Sequence, residues 1–179
     1  MKNVHVIGAI VASTVAIGSL QADVQYVDPI QAGEGFQSAF VHLEFYEGDA
    51  HLFEVFFDGE TSGFDLLVTL DEEPGLEFDL QYESFPFGEM VTGLGYDGLF
   101  ESGDGSGGDD FWRYWTRDDV DESWGQPMVG PSDRLVDDGT WDGWVFGRDD
   151  APTPLIPVPG VAAMLGVGLM VGGRRRRCH

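Results

Sequence analysis

Lysine is nearly missing from this chain, with Lys2 the only one in 179 residues. Between residues 23 and 150 the whole cationic complement is Arg113, Arg117, Arg134 and Arg148, against 32 acidic residues, a formal charge of −28. A surface of that sign repels phosphate backbones, which excludes DNA or RNA as a partner of this region. Self-repulsion keeps such a domain soluble and suits a salty medium that screens it. Cysteine is as scarce: Cys178 stands alone in the C-terminal tail, so no intramolecular disulfide forms and packing must hold the fold. Histidine occurs in the same central region only as His42 and His51, and no serine or cysteine lies in a nucleophile motif. There is no phosphate loop, no zinc spacing and no repeat of fixed period. These absences argue against an enzyme. His42 is expected as a solvent-side or hairpin residue rather than as a metal ligand.

Aromatic residues, in contrast, are plentiful and supply enough apolar area for a core, which separates the chain from disordered acidic sequences. The two ends have a different composition. Lys2, the apolar run Val6 to Ala16 and the exit Ser19-Leu20-Gln21-Ala22 make residues 1–22 a secretory signal peptide, with cleavage expected between Ala22 and Asp23. At the other end a Pro-rich linker, 151–160, leads into 161–179, where an uncharged run from Val161 to Gly173 precedes Arg174, Arg175, Arg176 and Arg177. Prolines keep the linker extended, and an arginine cluster behind an apolar run is expected to stay cytoplasmic.

This end, with Pro157-Val158-Pro159, a short apolar segment and four arginines, resembles the PEP-CTERM sorting signal of bacterial envelope proteins. Valine stands here where the family has glutamate. The resemblance implies export, at least transient anchoring by a C-terminal transmembrane helix, processing by an exosortase-type enzyme and a setting in extracellular polysaccharide.

Residues 23–39 read as a lead-in with one short strand, and 40–150 as the extracytoplasmic domain. Val41, Leu43 and Phe45 alternate along one strand, and Phe53, Val55 and Phe57 along a second, with Glu47 to Ala50 as the turn of a β-hairpin. Ser62 and Asp65 have the spacing of a capping box. With Phe64, Leu67 and Leu70 on one face and Pro74-Gly75 as the stop, they predict a short helix, although the same residues also alternate as a strand would. Extended segments follow at Leu76–Tyr82 and Met90–Leu94. Next comes an aromatic strand with Trp112 and Tyr114 on one face and Phe111, Arg113 and Trp115 on the other. Asp138-Gly139 and Asp142-Gly143 have turn chemistry ahead of a last strand, Trp144 to Phe146. The class expected is α+β, a mostly antiparallel sheet with one helix.

Trp112, Tyr114, Val129, Gly130, Asp138, Gly139, Trp144 and Phe146 fall in the order found in the β-grasp domain at the C-terminal end of transcobalamin-type carriers. Over residues 50–147 the chain is similar to that domain, which implies a small β-grasp-like fold and, as an alternative function, binding of a small cobalamin-like ligand. Two site candidates come from the residues themselves. Asp104, Asp109 and Asp110 on the glycine-rich loop 103–110 offer hard oxygens of the kind calcium takes, although a solvated turn fits as well. Trp115, Trp124 and Trp141 are the aromatic residues expected to be exposed, beside carboxylates, where a sugar ring could stack. The reading that results is a non-catalytic binding or structural module, facing matrix polysaccharide or another surface protein. A glycan-acting hydrolase would need two carboxylates paired across a cleft.

Overall fold

The computed structural model describes residues 25–158. The expected signal peptide 1–22, the Ala22–Asp23 junction, Pro159, the apolar run and Arg174 to Arg177 lie outside the described residues. Among the described residues no helix is long and apolar enough to cross a membrane.

Ten strands and one helix follow each other as β1 Gln25–Val27, β2 Ile30–Gly33, β3 Gln37–Glu44, β4 Ala50–Phe57, α1 Gly63–Glu72, β5 Phe78–Phe85, β6 Gly88–Tyr96, β7 Leu99–Ser102, β8 Trp112–Arg117, β9 Trp141–Phe146 and β10 Leu155–Pro157. Among the described residues the class is α+β, mostly strand with a single helix. The main sheet has the order β2-β4-β3-β9-β8. Its hairpin β3–β4 and its edge pair β8–β9 are antiparallel, while β3–β9 and β2–β4 run parallel. The expected hairpin is present, and its turn closes through Phe45 N–H to Asp49 O at 2.9 Å and Gly48 N–H to Phe45 O at 2.9 Å.

Helix α1 forms as its sequence predicts. Ser62 Oγ accepts from Asp65 N–H, and the Asp65 carboxylate accepts from Ser62 N–H in return. Each bond satisfies a donor that the first turn would otherwise leave free. Two further helix N–H groups are taken by a distant loop, Gly63 by Arg134 O at 2.9 Å and Phe64 by Pro131 O at 3.0 Å. The loop 125–136 is thereby fastened over the helix N-terminus.

One face of the main sheet carries Val41, Leu43, Phe45, Phe53, Val55 and Phe57. It packs on Phe64, Leu66, Leu67 and Leu70 of α1 and on Phe78, Val91 and Leu94 of a second sheet, β5-β6-β7. The small sheet includes both expected extended segments and a strand, β7, that the sequence did not announce. The opposite face of the main sheet is also covered, which changes two expectations, and strand pairing changes a third. Residues 148–158 cross it, with Leu155 packing on Leu52 and Trp141, and β10 pairs in parallel with β1. His42 is therefore 0 % exposed rather than solvent-facing. Trp141, expected at an exposed rim, is 1 % exposed because the same arm and Trp124 close over it. Asp142-Gly143 is not a turn: both residues lie inside β9, paired with Thr116 and Trp115 on one side and Val41 and His42 on the other. Gly143 sits there because a Cβ would stand 2.6 Å from Pro152 and 3.0 Å from the Trp124 ring.

Candidate functional site

Strand β8 ends the main sheet, and its free side opens into a cleft of about 480 Å³. Phe111, Trp112 and Tyr114 form one wall, Gln126, Pro127, Val129, Gly130 and Pro131 the other, and Arg113 with Asp149 one end. The hollow continues past Trp112 and Tyr114 between the two sheets, where Phe87, Met90, Val91 and Ser132 line a further space of about 350 Å³. Phe87 stacks on Phe85 at the β5–β6 turn, ring centroids 5.2 Å apart. The loop wall is held by Ser132, whose Oγ bonds the Glu89 carboxylate and accepts from Glu89 N–H at 3.1 Å. Rings on a shaped surface, with backbone groups and carboxylates at the rim, suit a binding site.

Behind the cleft wall half-buried Tyr114 meets a buried carboxyl. Tyr114 Oη donates to Asp142 Oδ2 at 2.7 Å, and Arg134 Nε stands 3.5 Å from Asp142 Oδ1. Burial pushes the Asp142 carboxyl up to about 6, although the Arg134 charge and the Tyr114 hydroxyl favour the anion. The Tyr114 phenol is raised as well, by burial and then by the neighbouring carboxylate. On the opposite face of the sheet Glu44, also buried, accepts from Arg148 and from Thr153 N–H at 2.8 Å, with His42 Nε2 3.5 Å away. Burial alone would raise the Glu44 carboxyl, but His42, Thr153 and Arg148 outweigh it and hold it at about 2. Burial lowers His42, which leaves it neutral near pH 7.

The two carboxyls give stability opposite slopes with pH. Folded Asp142 keeps its proton up to about pH 6, whereas an unfolded aspartate loses it near 3.9, so its contribution is full below about pH 4 and declines as pH rises through 6. Folded Glu44 keeps its charge down to about pH 2, so its contribution is full above about pH 5 and is lost as pH falls toward 2. Buried His42 and His51, both lowered by burial, lose stability as pH falls through about 6.5 and oppose the Asp142 gain, so the midpoint is expected to fall below about pH 4 and the Asp142 contribution is read against a variant. Asp142→Asn, a neutral isostere, removes one arm of this curve. The stability difference between wild type and variant is expected to change by up to about 3 kcal/mol between pH 4 and 7. A pH-independent difference in urea melts would contradict the assignment.

The candidates from sequence are placed as follows. Trp115 is half-buried on the far face of β8, opposite Gly143. Trp124 lies edge-on to Trp141 at 6.2 Å, and the Arg117 guanidinium stands 4.5 Å and 4.0 Å from the centres of the two rings. Trp124 and Trp141 thus meet as part of a core, away from the cleft, and Trp115, Trp124 and Trp141 do not form one stacking platform. Asp104 accepts from Ser106 N–H at 2.9 Å, and Asp109 pairs with Arg113 at 3.0 Å. The Asp110 main-chain carbonyl closes the loop by accepting from Gly105 N–H at 2.8 Å. Among the described residues no group of three or more His, Cys, Asp or Glu side chains is placed to hold a metal ion. Sequence reasoning does not mark the cleft rim, Phe87, Met90, Val129 and Pro131, as a site: it assigns Met90 and Val129 to the fold alone and does not single out Phe87 and Pro131. Their only signal was apolar side chains in segments otherwise rich in turn residues. Compared with protein family models the chain matches none, and no curated protein matches it.

Proposed function

We propose that this protein is an exported, envelope-anchored, non-catalytic binding module that meets the extracellular polysaccharide matrix, or a protein held in it, through the cleft beside β8. The observation that carries the reading is the cleft itself, walled by Phe111, Trp112, Tyr114, Val129 and Pro131 at an open sheet edge. The strand order β4-β3-β9-β8, with a parallel central pair and a helix after the first hairpin, supports the β-grasp resemblance. A non-catalytic role is supported by the buried acids, since Glu44 and Asp142 are committed to Arg148, Thr153 and Tyr114. Export and anchoring are supported by residues 1–22 and by the Pro157–Pro159, apolar and Arg174–Arg177 succession. In this reading the C-terminal segment enters the membrane and is the substrate of an exosortase-type enzyme. Intact mass of the protein in the envelope fraction is then expected to lack residues 1–22. A full-length cytosolic chain would contradict export.

Binding is tested by sedimenting the full chain with insoluble matrix from the cells that make it. Phe87 and Val129 are 77 % and 49 % exposed, so Phe87→Ser with Val129→Ser should leave stability within about 0.5 kcal/mol per site. Retention on the matrix is expected to drop about tenfold, the equivalent of ~1.4 kcal/mol. Phe36→Ser, at a 98 % exposed residue outside the cleft, is expected to change nothing. Equal retention of all three proteins would overturn the reading.

A further inference from the structure

The cleft wall is a strand edge, and the direction of its backbone groups can be read. In an antiparallel ladder alternate residues turn N–H and C=O to the same side. Thr116 turns both away from β9, to Gly125, with Thr116 N–H to Gly125 O at 2.8 Å and Gly125 N–H to Thr116 O at 2.9 Å. Phe111 has the other parity, and its carbonyl accepts from Gly147 N–H on the β9 side. Trp112 and Tyr114 share the parity of Thr116, so their N–H and C=O groups point into the cleft. Among the described residues no strand pairs with this edge ahead of Thr116.

An unpaired edge invites a further strand, and proteins normally block such edges with lysine, proline or a covering segment. Here the 126–131 loop stands off the edge and leaves a slot beside it. Charge selects the occupant. Asp149 and Asp109 both pair with Arg113, at 2.6 Å and 3.0 Å, so among the described residues the one cation lining the slot is already matched by two carboxylates. Asp104 and Glu89 line the two hollows that adjoin it at Trp112. A second copy of a domain carrying −28 would be repelled.

We propose that the free edge of β8 takes an extended, lysine- or arginine-bearing polypeptide segment of a partner protein, which adds a sixth strand to the main sheet. Main-chain bonds to Trp112 and Tyr114 supply the pairing, and the aromatic wall takes alternate side chains. The inference rests on the cleft being the ligand surface, as argued above, and it selects a protein over a glycan as occupant.

The test uses the full chain in mild detergent and a display library of random octapeptides. Selected peptides are expected to be cationic and to bind more weakly as salt rises. Hydrogen exchange at the Trp112 and Tyr114 amides is expected to slow about tenfold or more on binding. Methylating the peptide amides that face β8 is expected to weaken binding about tenfold, while methylating the alternate amides has little effect. Selection of acidic or uncharged peptides, or indifference to N-methylation, overturns the proposal. Soluble matrix polysaccharide serves as the parallel probe. If it protects the cleft and the peptides do not, the occupant is a glycan and the binding-module reading stands; if neither protects the cleft, both fall.

Discussion

Glu44→Ala is expected to cost the fold about 3 kcal/mol, seen as a lower midpoint in urea unfolding. The carboxylate is 1 % exposed and sits on the sheet face that residues 148–158 cover. It accepts from Arg148 and from Thr153 N–H, and these bonds fix the arm to β3 across more than a hundred residues of sequence. Alanine leaves the Thr153 amide without its acceptor and the guanidinium without its counter-charge. Removing one partner of a buried pair costs about 3–5 kcal/mol, and the lower end applies because Arg148 is 28 % exposed and can turn toward water. Glu44→Gln keeps an acceptor for Thr153 and is expected to lose about half as much. Limited proteolysis should cut the alanine variant first within 148–158. A loss under about 1 kcal/mol would mean that apolar contacts of Leu155 hold the arm unaided.

Gly63→Val is expected to have a similar effect, about 3 kcal/mol, through a different cause. Gly63 opens α1, where a Cβ would normally help the helix. Here that Cβ would stand 2.5 Å from Tyr114 Oη and nearer still to Asp142 Oδ2. Asp142 is buried and Tyr114 half-buried, and they are bonded to each other, so neither can move without breaking that hydrogen bond. The clash therefore outweighs the helix preference, which is worth only about 1 kcal/mol for alanine over glycine. Displacement of the Tyr114 ring would also reach the cleft it lines, so binding and stability are expected to fall together in this variant. Phe87→Ser separates the two, since it removes rim surface without touching the pair. A stable Gly63→Val protein with an unshifted Asp142 titration would contradict the packing described.

The elements that the sequence announced are those built from local rules. The period-two alternation of Val41, Leu43, Phe45 and of Phe53, Val55, Phe57 sufficed for the hairpin, and the Ser62–Asp65 spacing sufficed for the start of α1. Asp142-Gly143 misled because its turn chemistry is local, whereas its place between Thr116 and Val41 is set by pairing with strands far away in sequence. His42 and Trp141 misled for a related reason: the segments that bury them arrive from residues 120–124 and 148–158, which carry no mark of a covering strap. The cleft was the least legible feature. Its walls come from four separated segments around residues 87–91, 103–105, 111–114 and 126–131, and no one of them has a motif. Trp112 and Tyr114 were readable as core aromatics. That the same strand ends the sheet, and so offers its backbone as well as its rings, follows only from the pairing order.

The central claim is that the protein meets its matrix partner at the β8 cleft. Hydroxyl-radical footprinting of the full chain, free and bound to insoluble matrix, tests it most directly, because the cleft residues Phe87 and Met90 are exposed and readily oxidised. Binding is expected to protect Phe87 and Met90 while Phe36 keeps its free rate. Protection at Phe36 with the cleft residues unchanged would contradict the account.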